Sequence, residues 1–148
     1  MQPYDPWREI ADDPTVEVVT RHALAPGLDG ALVGRRIWLD RGLGQAGRRA
    51  TLAHELVHLE RGRPIGDARG RRREERVVED IAARRLVSLD ALVDAVRWCG
   101  TESLTELAEH LWVDVTAVRA RLTALTELER RVVAAAVEAN GENGSDAP

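Results

Sequence analysis

The chain has 148 residues, 44% hydrophobic and 31% charged, with a formal net charge of −4. That suits a globular protein with one modest core and gives no whole-molecule attraction to nucleic acid. A lone Cys99 excludes an internal disulfide, no apolar run approaches a membrane span, and Met1 to Asp13 lacks a signal-peptide core, so a cytoplasmic protein without membrane contact is expected.

Pro3, Pro6 and Pro14 punctuate the start, which predicts irregular chain or one short helix around Trp7 to Asp12. Thr15 to His22 is rich in β-branched residues and reads as a strand. Ala25 to Gly30 is a turn by composition. Ala31 to Val33 and Arg36 to Asp40 follow as two short strands joined by a tight hairpin at Gly34-Arg35. In the second, Ile37 and Leu39 share one face, while Arg36, Trp38 and Asp40 share the other. A helix is expected from near Gln45–Arg48 to Gly62, then a Gly/Pro/Arg loop over 61–73. Val77, Val78, Ile81, Ala82 and Leu86 recur at helical spacing, predicting a helix from about Arg72 to Val87. Ser88 opens another to Trp98. Capping boxes at Ser103–Glu106 and Thr126–Glu129, and Asp114 between them, start three more. Asn140 to Pro148 is polar and reads as a disordered tail.

The chemistry centres on Ala53-His54-Glu55-Leu56-Val57-His58-Leu59, an H-E-x-x-H set in apolar residues. Residues four apart on a helix lie one above the other. Two imidazoles so placed can occupy two corners of a zinc tetrahedron. Glu55, one step round, can reach a metal-bound water without binding the metal. A catalytic zinc needs a third protein ligand and an open position. His22 and His110 are candidates by type, and Glu74, Glu75, Glu79 and Asp80 by chemistry. Glu75 and Glu79 share a helix face. Neutralisation by Arg71, Arg72 and Arg76 accounts for that pair as well as a metal does.

Two stretches together carry a resemblance: Arg49 to Leu59 behind a short strand, and Glu75 to Val87. They resemble the ImmA/IrrE family of metallo-endopeptidases, whose second motif has the form E-x-x-A-[ND]-x-F-A-x-x-L-L. Aligned on Ala82 and Leu86, Glu75 falls on the third-ligand position and Glu79 on the outer Asn/Asp position. Val78 for Ala, Glu79 for Asn/Asp and Ser88 for Pro depart from the pattern, and Glu79 stays open as the alternative ligand. The resemblance implies an α+β fold. A small antiparallel sheet would pack on a zincin-like helix pair (1–98), followed by a helix-turn-helix-like segment (99–139) and the tail (140–148). It also implies a Zn²⁺-dependent endopeptidase in which Glu55 passes a proton from water to the leaving amine. Its substrate would be a repressor or other transcription regulator.

Tyr4, His22 and His110 are candidates for an additional oxyanion donor. The strand Arg36 to Asp40 is the expected edge for pairing with substrate backbone. In the helix-turn-helix-like segment only Arg119 and Arg121 lie on the would-be recognition helix, and residues 101–138 hold seven acids against four Arg. Packing or partner docking is therefore favoured there over DNA. The remaining alternatives are a non-proteolytic regulator with a structural zinc, and a toxin–antitoxin component.

Overall fold

The computed structural model describes residues 2–62 and 66–143. Seven helices and three strands form among them, an α+β arrangement. The helices are α1 (Pro6–Ala11), α2 (Gln45–Arg61), α3 (Ala68–Leu86), α4 (Leu89–Cys99), α5 (Leu104–Leu111), α6 (Val115–Thr123) and α7 (Glu127–Asn143). The strands are β1 (Glu17–Val19), β2 (Gly30–Val33) and β3 (Arg36–Leu39).

The sheet order is β1-β3-β2. β2 and β3 form the expected hairpin, with Gly34 at φ 62° in its turn. β1 pairs with β3 in parallel, Val18 opposite Ile37. The sheet is therefore mixed and not antiparallel. β3 is its central strand, so Arg36 to Asp40 offers no free edge, and the outer edge next to the helices belongs to β2. The alternation in β3 works as read. Ile37 and Leu39 are fully buried against Leu52 and Leu56 of α2. Burying each such side chain contributes about 2 kcal/mol. On the other face Asp40 accepts backbone N–H bonds from Leu24 (2.7 Å) and Gly42 (2.8 Å), tying down the flanking loops.

α2 runs through the middle of the molecule and ends at Gly62, φ 78°. α3 starts at Ala68, earlier than its apolar period suggests, because Asp67 caps it by accepting from Gly70 N. Val57 of α2 packs on Val78 and Ala82 of α3. Two ion pairs clamp the same helices, Arg85 to Glu60 (2.6 Å) and Arg61 to Glu74.

A second, larger core joins Ala50 and Ala53 of α2 to Leu86, Leu92 and Val96, to Leu107, Val118 and, on α7, Val133 and Ala136. It crosses position 98, so the helical segment shares its core with the residues before it. α7 continues through Asn140 to Asn143, the first part of the expected tail; residues 144–148 lie outside the described ones. Arg49 is buried on α2 and donates to the carbonyls of Trp112 (3.0 Å) and Tyr4 (2.7 Å). Its guanidinium also lies 5.5 Å from the Trp112 ring. This contact accompanies Trp112 in the left-handed conformation (φ 54°), at a turn position that suits glycine sterically. No described helix is long and apolar enough to cross a membrane.

Candidate metal centre

His54 and His58 stand one turn apart on the face of α2 that meets α3, their ring centroids 4.8 Å apart. The Val57–Val78 contact fixes which face of α3 they see. Glu75 lies one turn before Val78 on that face, and its carboxylate reaches both rings. Its Oε1 is 2.8 Å from His54 Nε2 and its Oε2 3.1 Å from His58 Nε2. The three donor atoms lie within 4.8 Å of one another, a group that can hold a metal ion. Two imidazole nitrogens and one carboxylate oxygen are a donor set that suits zinc. Burial pushes the His54 imidazole below its ordinary pKa, partly offset by the Glu75 charge, and so favours the neutral ring that a metal ligand must be.

The other acids of α3 are placed elsewhere. Glu74 is bound by Arg61 and Asp80 by Arg84 (2.9 Å). Glu79 lies one turn beyond Glu75, exposed on the cleft wall and outside the three-residue group. Arg71, Arg72 and Arg76 make no ion pair with Glu75 or Glu79 among the described residues. Arg71 instead donates to the Gly66 carbonyl.

Glu55 is only 7% exposed and lines the same cleft. Burial, and then the charge of Glu75, push its carboxyl up to about 7. It makes no side-chain hydrogen bond among the described residues. The cleft has a volume of about 660 Å³. Its walls are the β2 edge with the preceding loop (Leu28 to Leu32), α2, α3, and the start of α6, through its cap Asp114 and through Thr116, Ala117 and Ala120.

The three candidate oxyanion donors are elsewhere. Tyr4 donates to Glu9, His22 packs against Trp38 at 5.6 Å, and His110 pairs with Asp94 at 3.1 Å. Arg121 points into the core, donating to Val87 O (2.8 Å) and Glu129 (2.8 Å), so α6 presents Arg119 but not Arg121 to solvent. Sequence reasoning missed Asp29, Gly30 and Asp114, which reach the cleft from separate segments. No local spacing ties them to the histidines. Comparison with protein-family models, with curated proteins and with solved structures finds no match.

Proposed function

We propose that this chain is a zinc-dependent endopeptidase, as its resemblance to the ImmA/IrrE metallo-endopeptidases implies, acting on a regulatory protein in the cytoplasm. The observation that carries the reading is the meeting of His54, His58 and Glu75 from two helices in an open cleft, with buried Glu55 beside them. Zn²⁺ held by those three side chains would supply Lewis acidity, polarising a peptide carbonyl and lowering the pKa of water to about 7. Glu55 lies on the next position of α2 and faces the cleft. It takes the proton from the attacking water and returns it to the leaving amine.

Substrate backbone would pair along β2. Among the described residues no strand pairs with its outer edge, and Gly30, Ala31 and Leu32 lie on the cleft wall. This replaces the Arg36–Asp40 edge, which is central in the sheet. α6 supports the hydrolase reading over DNA binding, because it spends Ala117 and Ala120 on the cleft and Arg121 on the core.

Metal analysis on purified variants, alongside cleavage of a peptide library followed by mass spectrometry, tests the reading. Glu55→Gln should keep one zinc per chain and lose cleavage by about a hundredfold or more. His54→Ala should lose both. Undiminished cleavage by Glu55→Gln would overturn the proposal.

A further inference from the structure

Five acids line the cleft: Asp29, Glu55, Glu75, Glu79 and Asp114. No arginine lines it among the described residues, although proportion alone would put about three of the chain's 21 there. The acids around the cleft are treated differently. Glu60, Glu74 and Asp80 each have an arginine partner. Asp29, Glu79 and Asp114 have no ion pair among the described residues. Asp114 accepts from Ala117 N (2.7 Å) through one oxygen, as the cap of α6, and its other oxygen makes no hydrogen bond. Glu55, 93% buried by its 7% exposure, likewise faces the cleft without a hydrogen-bond or ion-pair partner. Even with Glu55 left out of the count, a divalent ion offsets only two of the four remaining acids, and the cleft keeps excess negative charge between low-dielectric walls, which concentrates the field on whatever enters. Beside these acids the wall is apolar and small-sided: Ala82, Ala83 and Leu86 of α3, Ala117 and Ala120 of α6.

We infer that the cleft selects a peptide with an arginine or lysine side chain beside the bond to be cut, a deepening that rests on the endopeptidase reading above. The aliphatic stem lies along the alanine wall and the cationic head meets Asp114 and Asp29. A side chain with a carboxylate is repelled, and a purely aliphatic one leaves the acids without a counter-charge. DNA-binding regulators carry such basic segments for phosphate contact, so the preference fits a regulator as substrate.

The test uses zinc-loaded Glu55→Gln, which holds peptide without turnover, and three capped pentapeptides that differ only in a central arginine, norleucine or glutamate. Calorimetric titration should rank them arginine, norleucine, glutamate, with the first about tenfold or more tighter than the last at low salt. Adding Asp29→Asn with Asp114→Asn should bring that ratio close to one, since asparagine still caps α6. As a second variant, Thr116→Arg places a cation on the cleft wall and should weaken the arginine peptide selectively. Equal affinities, tighter glutamate, no binding of any peptide, or a preference that survives both variants would overturn the inference. Parallel assays with the wild-type chain separate the two claims. Cleavage without charge preference removes this inference alone, and charge-ranked binding without cleavage removes only the hydrolase.

Discussion

A β-carbon at Gly30 would sit 3.1 Å from Glu55 Oε1 and 3.2 Å from the Trp38 carbonyl, and would collide with the Thr51 methyl. Glycine is required there by closeness: it lets β2 lie against α2 where the carboxyl of Glu55 needs room. In sequence Gly30 reads only as the end of a turn, because nothing local reports that it will meet Thr51 and Glu55 of a later helix. The same limit applies to Asp29 and Asp114. His54, Glu55 and His58 were legible since one helical period places them, and Glu75 was separable from Glu79 only through the resemblance. The Val57–Val78 contact that brings Glu75 to the histidines is a fact of packing. Gly30→Ala should cost about 1–3 kcal/mol through overpacking. It should also lower kcat about tenfold or more by displacing Glu55, with zinc content unchanged. Thermal melts and metal analysis beside peptide cleavage check this. An alanine variant with wild-type kcat would show that the close approach does not position Glu55.

Elements were legible where the signal is local and lost where it is a pairing choice. Both capping boxes start helices, and Thr126–Glu129 closes reciprocally, Glu129 N to Thr126 Oγ1 at 3.2 Å and Thr126 N to Glu129 Oε2 at 2.8 Å. The β1 stretch was visible, but a run of β-branched residues is equally suited to parallel or antiparallel pairing. Its partner and direction came from the fold. Glu129 does more than cap. Its Oε1 takes a hydrogen bond from Arg121, whose side chain is only 3% exposed, and it also pairs with Arg84. The Arg121 bond, then that from Thr126 N, hold the Glu129 carboxyl at about 2, below its ordinary 4.5. A depressed carboxylate pKa stabilises the fold fully above the unfolded value and loses that contribution as the carboxylate protonates. Stability should therefore fall between about pH 4.5 and 2. Glu129→Gln should be less stable at pH 7 by about 3 kcal/mol, since a buried guanidinium loses its anion. Its Tm should vary less through the acid window than that of the parent. Parallel melting curves from pH 7 to 2 check both, and two curves falling in step would refute the assignment.

At the scale of the whole molecule, the boundary expected near residue 98 came from the resemblance, which sets a helix-turn-helix-like segment after the zincin-like part, and Gly100 and the capping box at Ser103 marked only helix ends. In the fold Gly100 only ends α4, with φ 70° and its N–H on the Val96 carbonyl. Patterning marks where a helix stops and is silent on whether the next one joins the same core. Here it does, because α7 buries Val133 and Ala136 in the core that includes Ala50 and Ala53 of the histidine helix. A chain ended at Leu125 loses that apolar burial, about 3 kcal/mol. It also leaves Arg121 without Glu129 in a buried site, a further cost of about 3–5 kcal/mol. Together these approach the 5–15 kcal/mol, roughly, that hold a typical domain together. The shortened chain should therefore lose cooperative unfolding in urea. It should also bind zinc more weakly, since α6, which Arg121 anchors, forms one wall of the cleft. Were residues 1–98 a self-sufficient metal-binding unit, the same truncation would leave zinc affinity and the urea transition of that unit unchanged. Urea melts and competitive zinc titration of the two chains decide between a shared core and a separable one.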